Sequence, residues 1–539
     1  MGRRKVAIIG AGASGGALAW CLATAGAEDD VVVFHDEDEV GGHSRTIPIA
    51  FDATGRARVA ASEDEGPTYP VDIGVQFVCP SIYPNLYRQL TLPDFRHVTL
   101  VRHRELRMSG AFQDDLCWGN FGPYQSGERF DRCLDEETRA QAARFQRDLA
   151  RAPWGKIGGR RILSMSVGEY LDASGIGRRG NFFRYLLIPY LCIINGYGTV
   201  DLLETTMEDL FPIFARIPGL QDDGPYGSFT SVGRGWDRFE HGATQWVVAM
   251  IDYAVARGTQ VRTAARVERL ARRGDRWVVR WTSGATYGPG GVALAPGTES
   301  HEDDFDTVVL TTDMTTNRKL LDNDDNPHWA QQRDILSPRR FRLLPGACYI
   351  HQDDTVLAPA LRDGLEDGQF TGYFAWGDRD EGSTLYDLPY DLGSSFQTYL
   401  MQNVLGTPAP LYVSMYAEDR TAVVPAPDKT QFVRTWRHGR WVASFFREAK
   451  RALHRVQGLG DLWFAGNNTT IDSEEGALLS AMIIASKISP FQYPFPRLSS
   501  AWGLYCFFHE MMFPSRNRLD RIARVALGRP LGSAIQTRR

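Results

Sequence analysis

The sequence predicts an α/β fold in which one parallel sheet is assembled from three separate parts of the chain. The first observation is a glycine-rich turn that joins an apolar strand to a helix near the start of the chain. The second is the return of similar strand and helix patterns at 231–313 and 450–490. The third is the different character of the two insertions between them, 84–230 and 314–449. With 539 residues, the chain is several times the usual domain length, which favours two domains that are either interleaved or consecutive.

The N-terminal element is typical of a strand, a tight turn and a helix. An apolar run at 6–9 precedes the pattern Gly-x-Gly-x-x-Gly, and small residues continue to the C-cap signal Gly26. In such a turn the first glycine allows the bend, the second lets the backbone approach a pyrophosphate, and the third lets strand and helix pack closely. A second apolar run at 31–34 completes a dinucleotide-binding βαβ unit of the Rossmann type, which by itself fits NAD or FAD. The three glycines are Gly10, Gly12 and Gly15.

The residue that would bind the adenosine ribose is ambiguous. A carboxylate is expected at the end of the second strand, but His35 occupies that position and Asp36 follows it. Either the acid has moved by one residue or the imidazole contacts the ribose. Both residues are therefore candidate cofactor ligands.

Composition narrows the class of protein. Charged residues at 23% and hydrophobic residues at 43% are ordinary values for a globular protein, and a net charge of -5 argues against a general nucleic-acid-binding role. Seven cysteines are scattered without a Cys-x-x-Cys pair, so neither a disulfide framework nor a metal site is expected, and the reducing cytoplasm is the default location. The sequence has no run of about eighteen uninterrupted apolar residues, the length that a membrane span needs.

The rest of the chain is predicted to alternate between parts of the parallel sheet and the two insertions. The insertion at 84–230 is predicted to be mostly helical, with a capping box from Ser166 to Glu169, and the insertion at 314–449 to be rich in short strands. Between them we expect a helix that follows Gly235 and ends at Ala256, a strand, a β-pair, and a buried strand at 305–312. Near the end, a strand at 461–464 is followed by a turn and a helix that begins at Ser473.

Several further motifs accompany the Gly-x-Gly-x-x-Gly turn. They are the loop Gly41-Gly42-His43-Ser44-Arg45-Thr46, Asp72-x-Gly74, the β-pair at Val267, Ala465-Gly466 and Glu475-Gly476-Ala477. Together they resemble the motifs of flavin-dependent oxidoreductases of the amine oxidase and phytoene desaturase superfamily. Within it, Gly41-Gly42-His43, Tyr83-Pro84-Asn85, Ile350-His351-Gln352-Asp353 and Trp436-x-His438 are similar to those of a group of predicted NAD/FAD-binding amine-oxidase-domain proteins. The resemblance implies a Rossmann-type FAD-binding domain (1–83, 231–313 and 450–490) with an interleaved α+β substrate domain (84–230 and 314–449), and it implies FAD as the cofactor.

The resemblance also implies a role for individual residues. The pyrophosphate would be held by Gly10, Gly12, Ser14 and Gly15, and the adenosine ribose by His35 or Asp36. The pyrophosphate and the ribityl chain would be wrapped by Gly41, Gly42, Ser44 and Arg45, and the adenine would meet the backbone of Val267. The flavin site would be completed by Gly466, Glu475 and Ala477.

Candidate catalytic residues are few, because the flavin itself accepts the hydride and side chains mainly position the substrate. His438 and Trp436 precede the last flavin strand by about thirty residues, and the alternative for His438 is a surface histidine in a basic stretch. Gln76 is predicted to touch the flavin or the substrate. His351 with Asp353 is either an acid/base pair or, as we favour, a hydrogen-bonded cluster at a strand end.

Two acidic residues and the C-terminal tail complete the predictions. Glu474 and Glu475 are expected to act electrostatically at the start of their helix, with a role as a base as the minor alternative. The tail, 491–539, is basic, and its apolar residues from Leu519 to Leu527 fall on one helical face. It is predicted either to contact a membrane surface or to pack against the acidic body of the protein.

The sequence therefore predicts an amine oxidase-like FAD-dependent oxidoreductase that removes a hydride from a C–N or C–C bond of a hydrophobic small molecule. Two alternatives remain open at this point. One is an FAD-dependent lipid double-bond isomerase or desaturase, and the other is a non-catalytic FAD-binding protein. The location would be cytoplasmic or peripheral at a membrane surface, and the sequence does not determine the oligomeric state.

Overall fold

A computed structural model of the chain describes its folded elements and the contacts between them. The described residues are 3–26, 28–61, 66–103, 108–112, 115–119, 135–152, 154–177, 180–187, 203–208, 210, 235–284, 286–287, 293–295, 299–322, 330–336, 343–357, 372–376, 396–417, 424–439, 449–497 and 499–515.

Strands are numbered along the chain. They are β1 Lys5–Ile9, β2 Asp30–Phe34, β3 Thr46–Phe51, β4 Ala57–Val59, β5 Thr68–Asp72, β6 Leu100–Arg102, β7 Met108–Phe112, β8 Asp115–Gly119, β9 Lys156–Ile157, β10 Arg160–Arg161, β11 Asp237–Phe239, β12 Gln260–Arg262, β13 Arg266–Arg273, β14 Arg276–Ser283, β15 Thr286–Tyr287, β16 Ala293–Ala295, β17 Glu299–Phe305, β18 Thr307–Leu310, β19 Leu343–His351, β20 Gly372–Trp376, β21 Phe396–Leu400, β22 Tyr412–Ala417, β23 Thr430–Gly439 and β24 Leu462–Phe464.

The α-helices are numbered in the same way. They are α1 Ala13–Thr24, α2 Pro84–Leu90, α3 Glu136–Arg151, α4 Val167–Ser174, α5 Thr244–Val255, α6 Met314–Asp322, α7 Ala330–Ile335, α8 Met401–Leu405, α9 Arg451–Val456, α10 Glu474–Ile488 and α11 Ser500–Met512.

A five-stranded parallel sheet forms the centre of the protein. Its order is β12-β2-β1-β18-β24, so strands from all three predicted parts of the chain lie side by side. Successive side chains of a strand face opposite sides of a sheet. Accordingly, Val6 and Ile8 of β1 pack into one core with α1, α5 and α10, while Ala7 and Ile9 pack into a second core with the antiparallel sheet β13-β14-β17. The predicted α/β fold class is confirmed.

The two insertions meet in a second, mixed sheet. Its seven strands follow the order β23-β19-β22-β21-β20-β7-β8. β7 and β8 come from the first insertion, and β20 of the second insertion pairs with β7 in parallel. This sheet therefore joins residues that are far apart in sequence.

Some sequence predictions about local structure need correction. The described part of the first insertion contains the strands β6 to β10 in addition to the helices that were predicted to dominate it, and helical residues outnumber strand residues there. The helix expected directly after Gly235 begins only at Thr244, because β11 first pairs with β6. The capping box of α4 is confirmed: the Glu169 amide donates to Ser166 Oγ at 3.1 Å and the Ser166 amide to Glu169 Oε2 at 2.8 Å.

The described part of the C-terminal tail packs on the body of the protein. α11 places Trp502, Tyr505 and Phe508 in the same core as α1 and α10, and each of them is less than 5% exposed. The predicted basic amphipathic helix beyond residue 515 lies outside the described residues. Within the described residues, no helix combines the length and the apolar character required to cross a membrane.

Candidate functional site

The glycine turn between β1 and α1 forms one wall of a cradle at the carboxyl edge of the parallel sheet. Gly10 has φ +110°, and a Cβ there would lie 2.8 Å from Thr311 Oγ1. A Cβ on Gly15 would lie 1.8 Å from the carbonyl oxygen of Gly10, so this position requires glycine for strand–helix packing. Gly12 differs, because its nearest neighbour would be the Gly41 carbonyl oxygen at 3.7 Å. Gly12 therefore faces the backbone of the Gly41-Gly42 loop, and a methyl group would fit there at ordinary contact distance.

The N-terminus of α1 is suited to bind an anion. No side chain caps this helix, and its first turn contains no acidic residue. The first backbone N–H groups of a helix have no partner within the helix, and they carry a partial positive charge. Ser14 lies in this turn with 7% of its surface exposed, and a Cβ on Gly466 would lie 3.4 Å from its hydroxyl. This combination is typical of a site for a phosphate or pyrophosphate.

The loop with Gly41 and Gly42 forms the opposite wall. Gly41 forms a parallel bridge with Gly12 and donates its N–H to the Ala11 carbonyl at 3.1 Å. A short 3-10 turn, Gly42–Ser44, follows, and Gly42 has φ +60°, a conformation that glycine adopts without strain. The sequence thus brings together two glycine-rich segments that leave backbone, rather than side chains, around the cradle.

The N-terminus of α5 fixes this loop. Thr244 Oγ1 donates to the Ser44 carbonyl at 3.0 Å and accepts from the Thr46 N–H at 2.7 Å. Asp72 accepts from the Ala243 N–H at 2.8 Å, directly before the helix. Burial raises the pKa of Asp72 to about 7, although hydrogen bonds from Thr46 and Ala243 favour the ionised form.

His35 braces the turn. Its Nδ1 accepts from the Ala11 N–H at 3.4 Å, so Nε2 carries the proton and donates to the Glu39 carbonyl at 2.9 Å. Both ring nitrogens therefore have backbone partners, whereas the Asp36 side chain is 63% exposed. The geometry favours Asp36 over His35 as the residue that would reach a ribose, and this assignment stays a prediction.

A buried ion-pair network lies beside this turn and was only partly expected. Arg45 donates to Glu37 and Glu39, each at 2.8 Å, and its Nε is buried without a hydrogen-bond partner. Arg434 of β23 donates to both oxygens of Glu37, at 2.5 and 3.2 Å, and is 8% exposed. Arg434 links the seven-stranded sheet to the cradle, and it lies in the same basic stretch as His438.

Glu475 and Glu474, adjacent in sequence, are directed to different parts of the protein. Glu475 is fully buried and accepts from the Asn85 and Leu86 backbone N–H groups at 3.0 Å, and from Asn85 Nδ2 at 2.6 Å. Its carboxylate therefore caps α2 and does not face the cradle. Glu474 accepts from Ser44 Oγ at 3.2 Å and lies at the cradle instead. The N-cap of α10 is Ser473, as predicted.

The turn before α10 is held by buried polar groups. The Gly466 N–H donates to Ser480 Oγ at 2.7 Å, and Gly466 has φ +120°. Lys450 donates to the Thr470 carbonyl and His454 donates to the Thr469 carbonyl, the latter at 3.0 Å. Burial lowers the pKa of His454 to about 4. Ala477, the last predicted member of this group, is 3% exposed on α10.

Gln76 follows β5 in the chain. It is 8% exposed, and its amide donates to the Asp72 carbonyl. The next residue, Phe77, meets the rings of His103 and Tyr399 edge-on at 5.4 and 5.6 Å. Burial lowers the pKa of His103, and its Nε2 is buried without a partner. These residues form an aromatic wall between the segment that follows β5 and strand β21 of the seven-stranded sheet.

His351 belongs to a structural network. Its Nδ1 accepts from the Asp353 N–H at 3.1 Å, so Nε2 donates to Ser414 Oγ at 2.7 Å, and that hydroxyl donates to Thr398 Oγ1 at 2.6 Å. Burial lowers the pKa of His351 to about 3. A neutral histidine whose acceptor nitrogen is occupied by a backbone amide cannot take a proton from the serine. The favoured interpretation as a hydrogen-bonded cluster agrees with this geometry.

The remaining predicted residues lie on strands. Val267 pairs with Trp281, and the ladder is irregular between Val267 and Arg269, which leaves backbone groups of the strand out of regular pairing. Trp436 and His438 lie in β23 opposite Gly346 and Leu344, and their side chains are outside the described part of the structure.

Comparisons with known proteins agree with this architecture. Residues 8–91 match the family described as NAD(P)-binding Rossmann-like domain. A search of the curated proteins finds no relative of the sequence. Among solved structures, the chain is similar to cyclohexylamine oxidase from Brevibacterium oxydans IH-35A, with 13% identity, a TM-score of 0.54, and coverage of 90% of this chain and 100% of that one.

Two further solved structures have the same architecture. A CLA-producing fatty acid isomerase from P. acnes has 13% identity, a TM-score of 0.54, and coverage of 90% of this chain and 98% of that one. A putrescine oxidase bound to putrescine has 15% identity, a TM-score of 0.51, and coverage of 90% and 99%. The chain therefore shares the overall fold of these three structures, and its residues 8–91 match a Rossmann-like domain.

Proposed function

We propose that the protein is an FAD-dependent oxidoreductase that removes a hydride from a C–N or C–C bond of a hydrophobic small molecule. The observation that carries the proposal is the cradle formed by the uncapped N-terminus of α1 and the Gly41-Gly42 loop. Side chains are absent where a dinucleotide would need backbone contact, since the neighbours of a Cβ on Gly12 would be backbone atoms of Gly41 and Gly42. The fold shared with putrescine oxidase and cyclohexylamine oxidase supports FAD as the cofactor and oxidoreduction as the reaction class.

The residues present fit FAD along the length of the cradle. Gly12, Ser14 and the first N–H groups of α1 would bind the pyrophosphate, with Gly41 and Gly42 on the opposite side. The buried, unpartnered Nε of Arg45 is a further donor next to this loop. The N-terminus of α10 would lie at the flavin, where its partial positive charge favours developing negative charge. When bound, FAD supplies the hydride acceptor.

The chain itself would position the substrate and exclude water. Phe77 and Tyr399 offer apolar surface beside the cradle, and Gln76 is held by the Asp72 carbonyl. This wall supports a hydrophobic substrate. We place Trp436 and His438 among the substrate-facing residues as part of the proposal, because their strand also carries Arg434, which reaches Glu37 beside the cradle.

A lipid double-bond isomerase or desaturase is the second candidate. The similarity in fold to a CLA-producing fatty acid isomerase favours it, and the aromatic wall around Phe77 would suit an acyl chain as well as an apolar amine. A non-catalytic FAD-binding protein is the third candidate, because the cradle would be the same in a binder.

Spectroscopy separates these candidates. We expect the gently purified full chain to show the visible absorbance of bound flavin. Anaerobic mixing with a panel of hydrophobic amines should bleach this absorbance if the protein is an amine-oxidising enzyme. Unsaturated fatty acids that change their double-bond positions without net flavin reduction would establish the isomerase instead. A colourless chain that binds no added FAD would refute all three functions.

The C-terminal tail carries a separate proposal about location. We propose a cytoplasmic protein whose residues beyond 515 contact either a membrane surface or the acidic body of the protein. Helix α11 supports the second alternative as far as the described residues reach, because it is packed into the core. Flotation of the full chain with anionic vesicles, compared with a chain ending at residue 515, distinguishes the two.

A further inference from the structure

The carboxyl group of Glu474 lies at the cradle and has no assigned role. Glu474 is the first residue of α10 and is 6% exposed. Its Oε1 accepts a hydrogen bond from Ser44, which is 1% exposed and belongs to the 3-10 turn that follows Gly41. Glu474 therefore joins the helix expected at the flavin to the loop expected at the pyrophosphate, across 430 residues of sequence.

The surroundings of this carboxyl group are acidic. Asp472 on the preceding turn and Asp72 at the end of β5 both act on Glu474 as negative charges. Tyr83, directly before α2, is also within its electrostatic reach, while Glu475 on the same helix is bound to α2. The nearby cations serve other carboxylates: Arg45 binds Glu37 and Glu39, and Arg238 acts on Asp72. Among the described residues, Glu474 forms no ion pair.

Burial without a cation disfavours the ionised carboxylate. It raises the pKa of Glu474 to about 7, and Asp472 and Asp72 add to the increase, while the Ser44 hydroxyl and the backbone N–H of Glu474 oppose it. An additional negative charge in the cradle would act in the same direction as Asp472. The pyrophosphate of FAD brings two such charges and has no proton to release near neutral pH.

We propose that Glu474 is a cofactor-site residue that is protonated when FAD is bound, so that loading of the cofactor takes up one proton. The inference rests on the proposed FAD site. In the protonated form the carboxyl group has no charge to repel the pyrophosphate and gains an O–H donor, which a carboxylate lacks. Glu474 would thus favour FAD binding at low pH and release at high pH.

The direction follows from linkage between proton and ligand binding. Below about pH 7, Glu474 is already protonated before FAD binds, and the affinity does not depend on pH. Above it, each binding event must first add a proton, so the dissociation constant rises about tenfold per pH unit. Two units above this pH, the expected loss of affinity is about 100-fold.

The test is a titration of FAD-depleted full-length protein with FAD, followed by flavin fluorescence, at several pH values between about 6 and 9. Calorimetry in two buffers of different ionisation enthalpy counts the protons taken up. We expect Glu474→Gln, which is permanently neutral, to bind FAD with the same affinity over this range and without proton uptake. At the high end it should bind about 100-fold more tightly than the unmodified chain.

Asp72→Asn is the matched control, because burial also raises the pKa of Asp72 to about 7. Asp72 is engaged with Thr46 and the start of α5, so Asp72→Asn should retain a pH dependence of FAD binding. Its onset should move to lower pH, because the negative charge of Asp72 helps to raise the pKa of Glu474. Binding that is independent of pH in the unmodified chain would overturn the inference but leave the FAD site intact. A pH dependence that Asp72→Asn removes and Glu474→Gln keeps would overturn it as well. Failure to bind FAD at every pH would refute the proposed function itself.

Discussion

Substitution of Gly12 by alanine should separate cofactor binding from folding. Gly12 is the N-cap of α1, with φ -78° and ψ -168°, a backbone conformation that alanine adopts without strain. The added Cβ would lie 3.7 Å from the Gly41 carbonyl oxygen and 3.8 Å from Gly42 Cα, which is ordinary contact. Within the protein, the methyl group therefore fits.

The expected magnitudes differ for the two properties. Replacing glycine at a compatible position stabilises a protein by about 0.4–1 kcal/mol, and alanine is a poorer N-cap by a similar amount, so stability should change by less than about 1 kcal/mol. In the proposed site the methyl group occupies the space of the pyrophosphate. Loss of two charge-assisted hydrogen bonds costs about 3–6 kcal/mol, which raises the dissociation constant for FAD at least about 100-fold.

The assay combines thermal unfolding of the cofactor-free protein with FAD titration. Two control variants are included, one expected to destabilise the fold and one expected to leave FAD binding unchanged. Gly15→Ala places its Cβ 1.8 Å from the Gly10 carbonyl oxygen and should lower the stability of the fold itself. Gly503→Ala, in α11 with no atom within 4 Å of the added Cβ, should leave FAD binding unchanged. If Gly12→Ala binds FAD as tightly as the unmodified chain, the cradle is not the pyrophosphate site.

Three further substitutions test the buried polar groups. Glu475→Gln should lower the free energy of unfolding by about 2–4 kcal/mol, because the amide NH2 group of glutamine would face the N–H groups of Asn85 and Leu86. An unchanged midpoint of chemical denaturation would contradict the role of Glu475 as the cap of α2. His351→Gln should leave the rate of flavin reduction by substrate unchanged while reducing thermal stability, and loss of the reductive step at full stability would show that the histidine is catalytic. Asp72 has a pKa of about 7 in the folded protein and a lower pKa in the unfolded chain, so the folded protein binds its proton more tightly. The stability that this proton contributes is therefore present below about pH 4 and is lost as the pH rises to about 7. The expected loss in the free energy of unfolding is about 4 kcal/mol. Asp72→Asn should flatten the profile from chemical denaturation at several pH values, and an unchanged profile would assign it to another group.

Local sequence patterns were sufficient to predict the strands of the parallel sheet. β1, β2 and α1 begin and end within a residue or two of the predicted positions, because apolar runs, glycines and caps act over a few residues. The same applies to Ser473, which caps α10, and to the β-pair β13-β14. The helix expected directly after Gly235 was misplaced because β11 owes its conformation to pairing with β6, a distant strand.

The fold and the glycine turn could thus be predicted from the sequence itself, because the spacing of Gly10, Gly12 and Gly15 after an apolar strand is recognisable before any tertiary contact is known. The partners of the charged residues were decided only by the tertiary structure. Glu475 caps α2, Glu37 accepts hydrogen bonds from Arg434, and Glu474 accepts one from Ser44. The partners in each pair are about 390 to 430 residues apart in sequence. Two adjacent glutamates with the same chemistry therefore differ in role, because the helix directs one to a neighbouring helix and the other to the cradle.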